Sequence, residues 1–313
     1  MVQKTNRTQR KYQTQVIKSL ESIYISPLER CNLACKYCYT KKTNDVLSNQ
    51  QILDFVERYN SYLKSLSKKT NIYHLKSIIF CGGEVFLLSD FPQLINTLID
   101  KDIFISIITN GTIDCLEQIK KPNNCQILVS LDGPKQIHDQ NRGSDNFAKS
   151  LKYIKHAQKL GFPVGIMFLI TKNSYPYKDT FLNYLKTKYN IKNIELNYLT
   201  DRKMSLTNDQ CLDIKLHYPT FPAKNFGCFQ LSLQSNGNIT GCCESSKILG
   251  KITDDPKKYI DKFIKNISPC FTCGLCNGCC DQNYLCGYSK EFNKTSCQDI
   301  IGLFNKSKEN LKS

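Results

Sequence analysis

Three cysteines near the N-terminus have a spacing that suits an iron-sulfur cluster with one open iron. Cys31, Cys35 and Cys38 lie in the run CNLACKYC, a Cx3Cx2C spacing. A cubane cluster contains about four irons, and these residues supply only three thiolates, so one iron is left without a protein ligand. That iron could bind a small molecule and serve as a reaction site. The same cysteines could also form half of a zinc site or a chance cluster.

A second candidate segment follows about 45 residues later. The apolar run 78–81 has the character of a strand and ends in Gly82, Gly83 and Glu84. Glycines let the backbone approach a ligand closely, and a carboxylate can balance a positive charge on that ligand. The position of these residues at the end of a predicted strand suggests a binding site rather than an ordinary turn.

The elements that must position these residues alternate along the chain. A predicted strand, 22–26, leads into the cysteine run, and apolar residues at 52, 55, 56, 59 and 63 have the spacing of one helix face. Further strands are predicted at 103–108, 127–131, 164–170 and 194–198, with helices between them, including 147–160 and 181–188. Such alternation indicates parallel βαβ units, and six of them fit an open, partial (β/α)6 barrel of the α/β class. In parallel α/β folds the chemistry lies at the carboxyl ends of the strands.

The cysteine run resembles the CxxxCxxC signature of radical S-adenosylmethionine (SAM) enzymes. In that family the amine and carboxylate of SAM chelate the open iron of a 4Fe-4S cluster. Gly82, Gly83 and Glu84 are similar to the family's GGE motif, and Ser130-Leu131-Asp132-Gly133-Pro134 with a following His-Asp and Arg142 looks like its SLDGP and HDxxR segments. The resemblance covers roughly residues 22–298.

The resemblance implies a set of SAM-binding residues. The GGE motif would contact the SAM amine, Tyr37 would lie beside the adenine, and three further residues would lie near the ribose and carboxylate: Ser130, Asp132 and Arg142. Asp-Gly-Pro is also an ordinary turn, and an exposed arginine is usually solvated. Asn173 fits the family but could simply cap a turn. We expect a structural role for His138.

The C-terminal part of the chain is rich in cysteine. Ten of the 17 cysteines lie between Cys228 and Cys297. Four of them have the bacterial ferredoxin spacing Cx2Cx2Cx3C, in which the fourth cysteine binds a different cluster from the first three: Cys270, Cys273, Cys276 and Cys280. The segment also resembles a SPASM domain, the auxiliary-cluster module of many peptide-modifying radical SAM enzymes, with shorter spacings than usual. The resemblance implies two auxiliary 4Fe-4S clusters.

The ligands are assigned to the two auxiliary clusters as follows. One cluster would take Cys270, Cys273, Cys276 and Cys297. The other would take Cys228, Cys242 and Cys280, with Cys243 or Cys286 as the fourth ligand or with an open iron. Cys279 is surplus, and a zinc ribbon is an alternative for this part of the chain. The remaining cysteines fit no ligand pattern, and we expect them to be small buried hydrophobes: Cys81, Cys115, Cys125 and Cys211.

Composition bounds the architecture and the location. The chain has 313 residues, 41% of them hydrophobic, and no apolar run near the length of a membrane span. The predicted domains are a basic extension (1–21), the barrel (22–200), a linker (201–225), the SPASM-like domain (226–298) and a tail (299–313). An odd cysteine count and a basic N-terminus without a signal-peptide core favour a reducing, cytoplasmic location over a disulfide framework.

The sequence predicts an enzyme that modifies a peptide or protein by radical chemistry. A thioether or carbon-carbon crosslink is the first expectation, and oxidation of a Cys or Ser side chain, as in sulfatase maturation, is the alternative. A third hypothesis is a basic zinc-binding interaction module without redox activity. The net charge of +16 comes from scattered lysines, so we expect no nucleic-acid partner. About 22 residues precede the first strand, too few for a winged-helix leader-binding domain. A separate leader-binding protein and an electron donor such as flavodoxin or ferredoxin are therefore candidate partners.

Overall fold

The structure is a computed structural model that describes most of the N-terminal two thirds of the chain. The described residues are 17–38, 40–69, 71–198, 204–217, 230–241, 243 and 247–273, with the backbone alone at 198, 208, 211–212, 215–216 and 266–273. The chain divides into two compact units. The first unit contains residues 1–26, 50–78 and 224–313, and the second unit contains residues 27–49 and 79–223.

Strands and helices alternate through the N-terminal half, as the sequence predicts. In chain order the elements are β1 (Ser22–Ile25), α1 (Asn49–Ser65), β2 (Ser77–Phe80), α2 (Phe91–Ile99), β3 (Phe104–Thr109), β4 (Cys125–Leu131), α3 (Lys135–Arg142), α4 (Asn146–Lys159), β5 (Val164–Ile170), α5 (Lys178–Tyr189), β6 (Asn193–Tyr198), α6 (Asn208–His217), β7 (Ser232–Leu233), β8 (Asn238–Thr240), β9 (Ile248–Lys251) and α7 (Pro256–Cys273). Short 3-10 turns follow β2 and precede β4 and α5.

The second unit is built on parallel strands in the order β6-β5-β4-β3. The register aligns Thr109 with Val129, and Ser130 with Met167. Helix α5 covers one face of these strands, because Phe181 packs edge-on against Phe168 with ring centroids 5.1 Å apart. Since the strands are parallel, the residues that follow β3 and β4 emerge at the same edge of the sheet. This edge carries the predicted motif residues.

The first unit combines β1 and α1 with the later strands. The apolar face predicted for α1 is confirmed, because residues 52, 55, 56, 59 and 63 are all buried. Phe55 packs against Tyr259 of α7 with ring centroids 6.4 Å apart, and Arg58 donates to the carbonyl of Asp254 at 3.3 Å. Strand β7 pairs in parallel with β1, and β8 and β9 continue the sheet antiparallel.

Two elements lie where the sequence gave no sign of them. Helix α6 occupies part of the stretch 201–225, for which we predicted a linker. Strand β7 falls in the predicted C-terminal domain, yet the N–H groups of Tyr24 in β1 and of Ser26 just after it donate to the carbonyls of Leu231 and Leu233 at 2.8 Å. A strand of two residues has no periodicity to reveal it. The domain limits themselves stay a prediction.

Four cysteines fit no ligand pattern, and the structure describes the side chains of three of them. One of these three is buried. Cys125 in β4 is buried, as expected. Cys81 and Cys115 are partly exposed, so the expectation of buried hydrophobes is wrong for them. Both lie just outside regular elements, where the loop backbone does not enclose the side chain.

Within the described ranges, no helix combines the length and the apolar character needed to cross a membrane.

Candidate active site

The loop that carries the three N-terminal cysteines lies in the second unit, and we call residues 31–38 the cluster loop. All three thiols are free, with Cys31 and Cys35 partly exposed and Cys38 exposed. The N–H of Leu33 donates to Sγ of Cys31 at 3.4 Å, and the N–H of Cys38 donates to the carbonyl of Cys35 at 3.1 Å. The loop is therefore a compact turn with its sulfurs accessible on one short segment.

The donor set of the cluster loop fits an iron-sulfur cluster. Burial raises the pKa of Cys35 to about 11; Arg142 opposes this shift, and Asp132 and the neighbouring Cys31 and Cys38 thiols add to it. Donors such as the N–H of Leu33 stabilise thiolate sulfur. In the part of the chain that the structure describes, no three His, Cys, Asp or Glu side chains are placed around one metal ion. Each cysteine of a cubane binds a different iron, so its thiols need not converge on one point.

Asn110, at the end of β3, contacts the cluster loop and was not predicted from the sequence. Its Nδ2 lies 3.8 Å from Sγ of Cys31 and donates to Oδ1 of Asn32 at 3.0 Å. Asn32 in turn donates to Oγ1 of Thr112 at 2.8 Å. The available signal was the Thr-Asn-Gly that ends the predicted strand, but nothing in that triplet indicates contact with residues almost 80 positions earlier.

The predicted GGE segment lies directly against the residues that precede the cluster loop. The N–H of Gly83 donates to the carbonyl of Leu28 at 3.0 Å, and the N–H of Glu84 donates to the carbonyl of Arg30 at 2.9 Å. A Cβ on Gly83 would lie 1.9 Å from the carbonyl oxygen of Arg30. Gly82 has a φ of 115°, a conformation that favours glycine. Only this pair of glycines lets the two backbone segments meet.

The Glu84 carboxylate is fully buried and connects the GGE segment to the end of β3. Its Oε1 accepts hydrogen bonds from Oγ1 of Thr109 at 2.8 Å and from the N–H of Phe86 at 3.3 Å, and its Oε2 accepts from the N–H of Asn110 at 2.8 Å. Burial raises the pKa of Glu84, and these three donors partly offset that shift. Because a carboxylate has about four acceptor positions, one remains for a ligand.

Asp132 is the centre of a buried polar network at the end of β4. The hydroxyl of Tyr37 lies 2.8 Å from Oδ1 and 2.7 Å from Oδ2 and donates its one hydrogen to this pair of oxygens. Nε of Arg142 donates to Oδ1 at 2.7 Å, and Nδ2 of Asn141 donates to Oδ2 at 3.2 Å. The structure thus brings together three of the predicted SAM-binding residues through contacts among themselves. Ser130, two positions earlier, is partly exposed and aligned with Met167 of β5. The predicted contacts of all four residues with SAM stay predictions.

The C-terminal ligand assignments fall mostly outside the described residues. That is the case for Cys228, Cys242, Cys276, Cys280, Cys286 and Cys297, and also for the surplus Cys279. Cys270 and Cys273 lie in the last turns of α7, where the backbone alone is described. Cys243 is partly exposed. The two auxiliary clusters therefore stay a prediction.

Comparison with known proteins assigns the chain to a family. Residues 25–182, about half of the chain, match the family model of the Radical SAM superfamily. The chain belongs to this superfamily and is an enzyme of radical chemistry. The predicted α/β fold with parallel strands is confirmed, and the family implies both SAM and a 4Fe-4S cluster, which the cluster loop fits.

Individual relatives and solved structures resemble this chain over different shares of its length. A cysteine-type anaerobic sulfatase-maturating enzyme of Clostridium novyi (strain NT) is 29% identical over 185 residues, which are 54% of this chain and 49% of the relative, so the chain spans about half of that protein. The solved structure of native anSMEcpe with bound AdoMet and Cp18Cys peptide is 22% identical with a TM-score of 0.64, covering 91% of this chain and 99% of its own. Streptococcus suis SuiB bound to precursor peptide SuiA is 16% identical with a TM-score of 0.62, covering 83% and 70%. At these identities the two structures show the fold.

His138 gives the site region a testable pH dependence. It is fully buried, packs edge-on against Phe147 with ring centroids 5.5 Å apart, and has no hydrogen-bond partner for either ring nitrogen among the described residues. Burial lowers the pKa of His138 to about 4, below the usual value of about 6.5. The folded protein therefore binds fewer protons than the unfolded chain between these values, and the contribution of His138 to stability is lost as the pH falls through this window.

We expect the free energy of unfolding to lose about 2 kcal/mol between pH 7.5 and pH 5 through His138 alone. His138→Leu keeps an apolar side chain of similar size and should remove this part of the pH dependence. Urea unfolding of both proteins under anaerobic conditions at the two pH values measures the difference. An equal pH dependence in wild type and variant would show that folding does not lower the pKa of His138.

Proposed function

We propose that this radical SAM enzyme modifies a peptide or protein substrate, forming a thioether or carbon-carbon crosslink. The observation that carries the proposal is the meeting of the cluster loop with the ends of β3 and β4, through Asn110 at Cys31 and Asp132 at Tyr37. When bound, the cluster supplies one electron that cleaves SAM to methionine and a 5'-deoxyadenosyl radical, which takes a hydrogen atom from the substrate.

The residues of the chain have separate tasks in this proposal. Cys31, Cys35 and Cys38 hold the cluster. Glu84, with one acceptor position left, binds the SAM amine, and the glycine pair lets the backbone lie close to it. Arg142 uses Nε on Asp132 and has its terminal amino groups left to bind the SAM carboxylate. The auxiliary clusters assigned to the C-terminal cysteines would accept the electron that leaves the substrate radical, or bind the substrate.

The choice of a peptide substrate rests on the relatives. The sulfatase-maturating enzyme and the structures with Cp18Cys peptide and SuiA are all described with protein or peptide partners. The same relatives favour the second candidate equally: oxidation of a Cys or Ser side chain. They do not support the zinc module without redox activity, because the family is one of redox enzymes.

The first experiment tests whether the protein cleaves SAM reductively. The reconstituted protein, incubated without oxygen with SAM and dithionite, should release 5'-deoxyadenosine. No release from a protein with a full iron content would refute the proposal at its first step.

The second experiment separates the two peptide reactions. Peptides encoded by short open reading frames beside the gene are incubated in the same mixture and analysed by mass spectrometry. A crosslink loses hydrogen, keeps sulfur and does not react with a hydrazide. An oxidised Cys or Ser side chain becomes a carbonyl that a hydrazide labels. Labelling by a hydrazide would refute the crosslinking proposal and support oxidation of a Cys or Ser side chain instead.

A further inference from the structure

The Asp132 network joins two parts of the second unit that are far apart in sequence. Tyr37 belongs to the cluster loop, between Cys35 and Cys38, and its hydroxyl is bound to both oxygens of Asp132, 95 positions later. A second contact reinforces the first, because the N–H of Lys36 donates to the carbonyl of Asn141 at 3.0 Å. The backbone and a side chain between two cluster cysteines are thus both fastened to the segment that runs from β4 through α3.

The carboxylate of Asp132 is enclosed by donor groups of the protein itself. It is 0% exposed, and its acceptor positions face the donors of Tyr37, Arg142 and Asn141. The SAM carboxylate carries the same sign of charge and would be repelled by it. These facts argue for a role through neighbouring protein groups rather than through contact with SAM.

The charge of Asp132 is matched by a buried cation close to the cluster loop. The Arg142 side chain is only 10% exposed, and its guanidinium carbon lies 5.7 Å from the centre of the Tyr37 ring. Burial lowers the pKa of Arg142, but the opposing effect of the Asp132 charge outweighs burial. The pKa is therefore above its ordinary value, and the group stays charged. Because Tyr37 lies between Cys35 and Cys38, the contact with its ring places the positive charge of Arg142 against the cluster loop.

We propose that Asp132 is a positioning residue for the iron-sulfur cluster, which fastens the cluster loop through the Tyr37 hydroxyl and balances the buried charge of Arg142 against the Tyr37 ring. The fastening limits the movement of the loop and so slows the loss of iron. The charge balance sets the reduction potential, because a positive charge near a cluster favours its reduced form.

Two variants separate the fastening from the charge. Tyr37→Phe removes one hydroxyl and keeps every charge. It should release iron to a chelator about tenfold faster, because a hydrogen bond to a charged group is lost, with an unchanged midpoint potential. Asp132→Asn keeps the shape and removes the charge, and its amide nitrogen must face a donor from Tyr37, Arg142 or Asn141. It should release iron at least as fast and shift the midpoint potential upward, because Arg142 is no longer balanced.

The double variant tests whether the two residues act as one unit. Iron release from Tyr37→Phe with Asp132→Asn should be no faster than from Asp132→Asn alone, since both changes break the same contact. Asp100→Asn is the matched control, because it removes an equal charge from the exposed pair with Lys121, and it should behave like wild type in both assays.

All measurements use the reconstituted holoenzyme without substrate, so a failure of the proposed peptide chemistry would leave this inference standing. If Asp132→Asn does not fold, Tyr37→Phe still decides the fastening. Iron release at the wild-type rate from Tyr37→Phe, or a potential in folded Asp132→Asn that equals that of Asp100→Asn, overturns the proposal.

Discussion

Alanine in place of Gly83 should cost the protein about 3 kcal/mol of stability and abolish SAM binding. The added Cβ would lie 1.9 Å from the carbonyl oxygen and 2.5 Å from the carbonyl carbon of Arg30. Both are backbone atoms, so relief requires one of the two segments to move. That movement would break the hydrogen bonds from Gly83 to Leu28 and from Glu84 to Arg30, and would displace the Glu84 carboxylate.

Gly165→Ala provides a graded control for this variant. A Cβ there would lie 2.7 Å from Cδ2 of Leu128, the far end of a side chain, and 3.2 Å from the carbonyl oxygen of Asn193, a much longer backbone contact than the one at Gly83. We expect a loss of about 1 kcal/mol and a nearly unchanged SAM affinity. Urea unfolding and equilibrium binding of SAM to the reconstituted proteins measure both quantities. Equal effects of the two substitutions would show that the contact between residues 83 and 30 is not specific to SAM binding.

Local patterns predicted the regular elements and the motif positions well. The apolar face of α1 follows from its helical spacing, because apolar residues three or four positions apart lie on one side of a helix and are buried together. The end of β2 was predicted to carry the GGE segment for a similar reason: an apolar run stops at glycines. Such signals are contained in a few consecutive residues.

Contacts between residues far apart in sequence could not be predicted, because no short run of residues contains a signal for them. The family resemblance implies that Asp132 lies near SAM, which stays a prediction, but it gave no sign that the oxygens of Asp132 accept hydrogen bonds from Tyr37, Arg142 and Asn141. A carboxylate next to a glycine turn looks the same in sequence whether its partner is a ligand or a tyrosine 95 residues away. The contact of Asn110 with Cys31 and the pairing of β7 with β1 have the same character.

The cluster loop and the C-terminal cysteines should have separable effects on iron content. We expect about 12 irons per chain after anaerobic reconstitution, about four from each of three clusters. Alanine at Cys31, Cys35 and Cys38 together should remove about four of them and reduce the release of 5'-deoxyadenosine to background. An iron content near four in the unmodified protein would refute the two auxiliary clusters.

Alanine at Cys270 and Cys273 should abolish modification of the peptide but leave the release of 5'-deoxyadenosine intact. We expect reductive cleavage of SAM to need only the predicted barrel, residues 22–200, which contains the cluster loop, Glu84 and the Asp132 network. The double variant should therefore still release 5'-deoxyadenosine without substrate, while the mass change of the peptide is lost. A stripped cluster also removes metal-ligand bonds that support folding, so circular dichroism and iron content must first show a folded protein with the remaining clusters. If that folded variant modifies the peptide at the wild-type rate, the C-terminal cysteines are structural, and the function proposed for that domain is wrong.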